Sequence, residues 1–235
     1  MSLESLRREI RAKADKEKAG FLKRYFKTGE GQYGHGDVFL GITVPENRKL
    51  AIKFHELHLD DVKELLKSRI HEERFIALEI LDFKYNKGDE KEKREIYNFY
   101  LKNTKYINNW DLVDVSAPCI VGAYLFKNKD KKVLYNLAKS SNIWEKRMAI
   151  VSTFYFIKNN GFKDTLKISE ILLNDSHDLI HKAVGWMLRE VGKRDEKELE
   201  RFLIKHHKNM PRTTLRYAIE RFPKEKRLKY LRGEI

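Results

Sequence analysis

The sequence predicts an all-α protein in which pairs of helices stack into an α-solenoid with a concave basic face. Apolar residues follow the i, i+3, i+4 spacing of amphipathic helices along most of the chain, and strand-like alternation is almost absent. Only four prolines interrupt the 235 residues. A basic residue near the start of an apolar helix also recurs at a nearly fixed interval, as expected for stacked helical repeats. We expect a single domain over residues 1–235.

Residues 74, 110, 147, 182 and 216 occupy corresponding positions in successive repeats. The intervals between them are 36, 37, 35 and 34 residues. Arg74, Arg147, Lys182 and Arg216 each begin an apolar helix close to a small residue, and Trp110 occupies the remaining position. If successive repeats stack in register, these basic residues line one face of the solenoid. The alternative is that they are ordinary solvated residues at helix starts.

The elements before the first repeat are a helix and a glycine-rich loop. Five of the twelve glycines lie in Gly29–Gly41, so this stretch is a loop. It lacks the Gly-Lys-Ser/Thr ending of a nucleotide-binding P-loop. Its sequence leaves open whether the Gly29–Asp37 part touches a ligand or only packs. Val38–Val44 shows a short, ambiguous strand-like alternation.

The remaining elements alternate between long and short helices. Apolar spacing predicts the long repeat helices at Ile70–Phe83, Ile143–Ile157 and Ile180–Val191. Shorter amphipathic helices are predicted at Glu90–Leu101, Lys131–Lys139, Leu166–Leu173 and Glu196–His206. Pro118 is expected to kink its helix or to mark an irregular turn. Most charges of the basic stretch Pro211–Arg232 are expected to belong to a solvated tail.

The charge balance favours a polyanionic partner. The chain has 49 Lys and Arg residues against 35 Asp and Glu residues, which gives a net charge of +14. Basic side chains gain affinity for nucleic acids by releasing counterions from the phosphates. The alternative is that the charge serves only solubility.

The cell compartment is predicted from what the sequence lacks. Cys119 is the only cysteine, which excludes an internal disulfide and a cysteine-rich zinc fold and suits a reducing cytoplasm. The charged N-terminus lacks the apolar segment of a secretory signal. No apolar run approaches the ~20 residues needed to span a bilayer. We therefore expect a cytoplasmic monomer without a membrane partner.

The most informative stretch is Asn109–Asp114. Four-residue spacing places Trp110 and Asp114 on the same face of a helix, so one indole and one carboxylate share a surface. Asp111 lies on another face and suits the first turn of the helix. Alternatively, Trp110 is a core residue and Asp114 pairs with a neighbouring arginine.

Further candidates begin the later repeats. Trp186 lies two repeats after Trp110, with Arg189 about one turn beyond it, and Arg147 begins the intervening repeat. If the repeats stack in register, these residues converge with Asp114 on the concave face. Indole faces attract cations, and guanidinium groups bind phosphate in a bidentate manner. The set therefore suits a ligand that carries a cationic group and phosphates together.

The chain resembles the AlkD-type DNA alkylation-repair glycosylases, which consist of HEAT-like helical repeats. The stretches that carry the resemblance run in order along nearly the whole chain: Phe39–Pro45, Trp110–Asp114, Asn142–Arg147, Lys182–Arg189 and Pro211–Ile219. The resemblance implies a monofunctional glycosylase that removes cationic alkylated purines, such as 3-methyladenine and 7-methylguanine, from duplex DNA. It also implies that the enzyme works without drawing the base into a deep pocket.

The resemblance assigns the site residues as follows. Asp114 is expected to be the catalytic carboxylate, and Trp110 and Trp186 are expected to flank the deoxyribose of the lesion. Arg147 and Arg189 are expected to hold DNA phosphates. We add Lys182, which begins a helix of the basic series, and Arg212, which begins a helix in the basic stretch Pro211–Arg232, as further DNA-binding candidates.

Other functions are weighed against this one. His177 with His181, and His55 with His58, have spacings that would supply half a metal site, but neither pair has an evident third ligand, so we predict no metal and no cofactor. The first rival function is a non-catalytic HEAT-like module that binds structured or damaged DNA. The second rival is a helical scaffold whose concave face binds an acidic protein.

Overall fold

The computed structural model describes residues 1–128 and 130–235, and in these residues the predicted all-α fold is confirmed. The β-type pairing found there is an isolated parallel bridge between Val38 and Ile70. The chain forms two compact units, Met1–Ser116 and Ala117–Ile235. A single domain and a concave basic face stay predictions.

Helices α1 to α7 form the N-terminal unit. Their bounds are α1 Leu3–Ala12, α2 Lys16–Tyr25, α3 Val44–Lys53, α4 Leu59–Leu66, α5 His71–Lys87, α6 Glu90–Lys102 and α7 Trp110–Ser116. Aspartates stabilise two of the helix starts: Asp15 accepts hydrogen bonds from the backbone N–H groups of Glu17 and Lys18 in α2, and Asp89 accepts one from the backbone N–H of Glu92 in α6.

Helices α8 to α15 form the C-terminal unit. Their bounds are α8 Ala123–Phe126, α9 Lys132–Ala138, α10 Ile143–Lys158, α11 Lys163–Leu172, α12 Asp178–Gly192, α13 Glu196–His206, α14 Arg212–Ala218 and α15 Lys224–Arg232. Before α8, Pro118–Gly122 forms a π-helical turn. The irregular turn predicted at Pro118 is therefore confirmed, since proline lacks the N–H that a regular helix needs.

Apolar spacing predicted most of these helices. The long repeat helices are confirmed as α5, α10 and α12, and the shorter ones as α6, α9, α11 and α13. The stretch Pro211–Arg232 differs, because it folds into α14 and α15, whose charges are mostly exposed while Leu215 and Tyr230 are buried. The strand considered at Val38–Val44 is absent, since only Val38 pairs there and α3 begins at Val44.

Helix α5 is the centre of the N-terminal unit and packs against α3, α4, α6 and α7. Its middle is apolar and buried, but its first turn is buried as well although it is charged. The side chains of this turn, His71, Glu72, Glu73 and Arg74, belong to residues that are no more than 3% exposed. Buried charges are tolerated when they are paired and hydrogen-bonded, so this turn must find polar partners inside the unit.

Helix α12 is the centre of the C-terminal unit and packs most extensively on α14. The closest approach is at Gly185, where a Cβ atom would lie 2.5 Å from Cβ of Tyr217 and 2.6 Å from the carbonyl oxygen of Thr214. Any larger residue would push the two helices apart. Gly185 thereby fixes the neighbouring Trp186 with respect to α14.

Among the helices described, none combines the length and the apolar character that a bilayer crossing requires.

Candidate functional site

Helix α7 carries two of the three predicted catalytic residues. Trp110 is its first residue and Asp114 lies one turn later. Asn109, fully buried before the helix, accepts a hydrogen bond on Oδ1 from the backbone N–H of Trp110 at 2.8 Å, and its carbonyl accepts one from Val113. Trp110 and Asp114 are both half-buried. A buried anchor thus presents an indole and a carboxylate that each keep part of their surface exposed.

The indole of Trp110 ends a stack of four rings in the N-terminal unit. It lies parallel to Phe26 with centroids 5.1 Å apart, Phe26 stacks on Phe39 at 4.9 Å, and Phe39 stacks on the imidazole of His71 at 4.4 Å. Tyr25, which is 54% exposed, packs edge-on against the same indole. One face of Trp110 is therefore fixed by aromatic packing.

A buried carboxylate, Asp37, ties the start of α7 to α5. Its Oδ1 accepts a hydrogen bond from Nη2 of Arg74 at 2.7 Å, and its Oδ2 faces Nδ1 of His71 at 3.2 Å and Nδ2 of Asn109 at 3.1 Å. Nε2 of His71 lies 2.7 Å from Oδ2 of Asp111 in the first turn of α7. We call these five residues the Asp37 cluster.

The protonation states of the cluster follow from its contacts. Burial alone lowers the pKa of His71, but the charge of Asp111 and the hydrogen bonds to Asp111 and Asp37 outweigh burial and raise that pKa to about 8. Burial alone raises the pKa of Asp37, yet the hydrogen bond from His71 and the charge of Arg74 hold it below its ordinary value. At neutral pH, His71 is therefore a cation between two carboxylates, and each ring nitrogen donates to one of them.

The glycine-rich loop delivers Asp37 to this cluster. The backbone N–H of Gly34 donates to the carbonyl of Lys27, and a Cβ atom on Gly34 would lie 2.3 Å from the carbonyl oxygen of Phe26. The backbone N–H of Asp37 in turn donates to the carbonyl of Gly34. The loop thus folds onto the end of α2 and into Asp37, which gives it a packing role that the sequence left open.

Sequence reasoning missed most of the Asp37 cluster. Arg74 was expected on a shared basic face, and this is wrong: Arg74 is 3% exposed because it pairs with Asp37 and donates to the carbonyl of Ser68. Asp111 was expected only to favour the helix start, but it also binds His71. The signal available for Asp37 was its position as an acidic residue at the end of the glycine-rich loop, directly before the apolar stretch Val38–Leu40.

Three of the predicted residues lie on α12 in the C-terminal unit. Trp186 is half-buried, with its ring 5.7 Å from that of Phe154. Nζ of Lys182 lies 2.7 Å from Oδ2 of Asp178. Arg189 forms ion pairs with Glu190 and Glu220. The two cations on this helix therefore already have carboxylate partners, which a phosphate would have to displace or share.

The other two predicted DNA-binding residues differ in exposure. Arg147, on α10, is 5% exposed, and its Nη1 donates to the carbonyl of Leu179 at 2.7 Å, which ties α10 to the first turn of α12. Arg212 is exposed at the first position of α14. Arg147 thus has a structural contact, whereas Arg212 faces solvent.

The structure brings the predicted residues together within each unit. Trp110 and Asp114 share α7, and Lys182, Trp186 and Arg189 share α12. The convergence of the two sets at one site stays a prediction. In the described residues, no group of three or more His, Cys, Asp or Glu side chains has the arrangement of a metal site.

The sequence model of a family described as DNA alkylation repair enzyme matches residues 6–222. The chain belongs to this family. The resemblance seen in the sequence is confirmed, and a role in the repair of alkylated DNA, with DNA as the substrate, follows from the membership. No curated protein matches the chain.

Two solved structures share the fold of this chain. A predicted DNA alkylation repair enzyme from Enterococcus faecalis is 17% identical, with a TM-score of 0.70 over 90% of this chain and 98% of its own. AlkD2 from Streptococcus mutans is 18% identical, with a TM-score of 0.55 over 89% of this chain and 99% of its own. At these identities the likeness extends to the fold.

The Asp37 cluster predicts a pH-dependent stability. Because the pKa of His71 is raised from 6.5 to about 8 on folding, its contribution is complete below pH 6.5 and is lost as the pH rises through 8. The free energy of unfolding should therefore fall by about 2 kcal/mol across this window. Urea unfolding at pH 6, 7, 8 and 9 measures this decrease.

His71→Gln should remove the decrease, whereas His35→Gln, which changes an exposed histidine of the glycine-rich loop, should retain it. An equal decrease in the wild type and in His71→Gln would contradict the assignment.

Proposed function

We propose that this repair enzyme is a monofunctional DNA glycosylase that hydrolyses the N-glycosidic bond of cationic alkylated purines in duplex DNA. The observation that carries the proposal is the half-buried pair on α7: the carboxylate of Asp114 one turn from the indole of Trp110, on a helix anchored by buried polar contacts. Such an anchor suits a group that must meet a reacting atom at a fixed place.

The chemistry needs these residue types. Alkylation at N3 or N7 makes a purine cationic, so the base leaves as a neutral molecule and needs no general acid. Positive charge then grows on the deoxyribose as the glycosidic bond breaks. A carboxylate next to the anomeric carbon stabilises that charge, and it can also orient or deprotonate the attacking water. We assign this role to Asp114.

The tryptophans complete the proposed site. An indole face against the sugar attracts the developing cation, which contributes about 0.5–1 kcal/mol at an exposed site and about 2 kcal/mol when the group is desolvated. The attraction strengthens as charge grows and therefore accelerates the reaction rather than only binding the substrate. Trp110 presents such a half-buried indole, and Trp186 is the second one proposed. The reaction uses no lysine nucleophile, so we do not expect strand cleavage, and we expect no deep extrusion of the base.

DNA binding is proposed to rest on the basic residues of the C-terminal unit. Arg212 is exposed and Lys182 is 42% exposed at its side chain, so both are accessible to phosphates. Arg189 can join them where a phosphate competes with Glu220. Arg147 is buried, so we propose that it supports this surface mainly through the hydrogen bond that it donates to the carbonyl of Leu179. The net charge of +14 favours the same partner.

The first test is release of 7-methylguanine from methylated duplex DNA under single-turnover conditions. Asp114→Asn should lower the rate about 100-fold or more, the size of loss seen when one group that stabilises transition-state charge is removed. The matched control is Asp60→Asn, which changes an exposed aspartate on α4, and its rate should equal that of the wild type.

Equal release by Asp114→Asn and the wild type would exclude Asp114 from the reaction. Binding of the same duplex by the wild type without any release would favour the non-catalytic DNA-binding module instead.

The second test separates contact with phosphate from support of the fold. Arg212→Ala should weaken binding to damaged and undamaged duplexes alike, and it should reduce the slope of log K against log salt by about 1, without a change in Tm. Arg147→Ala should lower the Tm, because it leaves the carbonyl of Leu179 without its buried donor. Fluorescence anisotropy from 50 to 200 mM salt, with a thermal melt of each variant, measures both effects. An unchanged salt slope for Arg212→Ala would contradict its contact with phosphate.

A further inference from the structure

The N-terminal unit contains a cavity of about 190 Å³ where the glycine-rich loop, the end of α4 and the segment before α7 meet. Its lining comes from the segments 35–37, 66–69 and 105–108, together with Arg74 of α5. We call it the basic pocket, because four of its lining residues are Lys or Arg and one is acidic. The volume is below the roughly 300–1,000 Å³ of sites for drug-sized ligands, so the pocket suits a small group.

Two cations of the basic pocket have no carboxylate partner among the described residues. These are Arg69 and Lys105, and both are exposed. Lys67, at the same pocket, differs because its Nζ lies 2.6 Å from Oε1 of Glu64. Like charges that face one pocket repel each other, and a bound anion would relieve this repulsion. The charges of the lining therefore favour an anionic ligand.

The acceptors of the basic pocket are withdrawn from it. Asp37 is 8% exposed, and both of its carboxylate oxygens already receive donors. Its negative charge is offset by Arg74 and by protonated His71 in the Asp37 cluster. Oδ1 of Asn108 is buried and does not face the pocket. An anion would therefore meet the unpaired cations without meeting a free carboxylate.

This surplus of positive charge is local and does not simply reflect the net charge of the chain. A larger cleft of the same unit, of about 610 Å³, has Lys84 and Lys87 in its lining. The same lining contains three carboxylates, those of Glu56, Glu92 and Glu95. The larger cleft is therefore not basic, although it belongs to the same chain.

The two unpaired cations come from segments whose backbones are fixed. The carbonyl of Arg69 accepts a hydrogen bond from the backbone N–H of Val38 at 2.9 Å. Lys105 belongs to the short 3-10 turn Thr104–Tyr106, and its Nζ lies 4.9 Å from the ring centroid of Tyr106. Fixed segments lower the entropy that a site loses when it binds a ligand.

The basic pocket lies beside the start of α7. Asn108 lines the pocket and is two residues before Trp110, so the Cα atoms of these residues are no more than about 7 Å apart. Asp37, in the wall of the pocket, accepts a hydrogen bond from the intervening Asn109. A DNA strand with one sugar at Trp110 can therefore place a neighbouring phosphate at the pocket.

We propose that the basic pocket binds a phosphate group through Arg69 and Lys105. A phosphate carries negative charge and several acceptor oxygens, with which guanidinium and ammonium groups form charge-assisted hydrogen bonds. The phosphate can come from the DNA backbone or from solution. The backbone source rests on the proposed binding of DNA, to which it adds a contact of the N-terminal unit, but it requires neither Asp114 nor bond hydrolysis.

The first measurement is the salt dependence of binding to an undamaged duplex, by fluorescence anisotropy from 50 to 200 mM salt. The double variant Arg69→Ala/Lys105→Ala should reduce the slope of log K against log salt by about 1, because one phosphate is no longer neutralised. Its Tm in phosphate-free buffer should equal or exceed that of the wild type, since the two exposed side chains lack ion pairs and repel each other.

Two control variants show whether the position of the charge matters. Lys91→Ala removes a positive charge from an exposed position of α6 outside the pocket, and it should leave the slope unchanged. Arg69→Lys retains the charge and should retain the slope. A decrease of the same size in Lys91→Ala would overturn the assignment to the DNA backbone.

The second measurement uses inorganic phosphate without DNA. The Tm is compared between potassium phosphate and potassium chloride of equal ionic strength. Phosphate is excluded from protein surfaces and stabilises both proteins in general, so binding at the pocket is measured as the excess in the wild type over the double variant. We expect an excess of at least about 2 °C.

The two measurements together identify the source of the phosphate. A reduced slope in the double variant would assign the pocket to the DNA backbone, and an excess in Tm with an unchanged slope would assign it to phosphate from solution. An unchanged slope without an excess would overturn the proposal. Neither result depends on release of 7-methylguanine, and if the wild type binds no duplex, the measurement with inorganic phosphate alone decides.

Discussion

The position of α7 depends on the buried carboxylate of Asp37. This group lies between α5 and the start of α7, with Arg74 and His71 on one side and Asn109 on the other. Because Asn109 also accepts from the first backbone N–H of α7, the carboxylate and the helix start are held by one side chain. A substitution at Asp37 is therefore expected to alter the positions of Trp110 and Asp114, although neither of these residues is itself changed.

The Asp37 cluster is balanced in charge, which is what makes its burial tolerable. Two carboxylates, Asp37 and Asp111, face two cations, Arg74 and protonated His71. A buried ion pair gains little over apolar packing, but removing one partner leaves a buried charge uncompensated at a cost of about 3–5 kcal/mol. Compared with apolar packing, the cluster thus contributes mainly geometry, and its stability depends on His71 keeping its proton. The stack from His71 to Trp110 extends the same constraint to the indole.

The sequence predicted the helices and the pair on α7 because both are local properties. Apolar spacing determines which face of a helix is buried, and four-residue spacing determines that Trp110 and Asp114 share a face. The Asp37 cluster could not be predicted in this way, since Asp37 meets Asn109 across 72 residues. The same reason explains the error at Arg74, whose position in the repeat is regular but whose partner comes from the glycine-rich loop. The close packing at Gly185 and the folding of Pro211–Arg232 likewise depend on contacts between helices.

The most direct test of this account is a double-mutant cycle between Asp37 and Asp114. The measurement is the single-turnover rate of 7-methylguanine release by the wild type, Asp37→Asn, Asp114→Asn and the double variant, at a temperature where circular dichroism shows all four folded. If Asp37 acts by holding α7 in place, Asp37→Asn slows release on the order of tenfold or more alone and adds no further loss in the Asp114→Asn protein. Losses that multiply in the double variant, or a normal rate for Asp37→Asn, would contradict it.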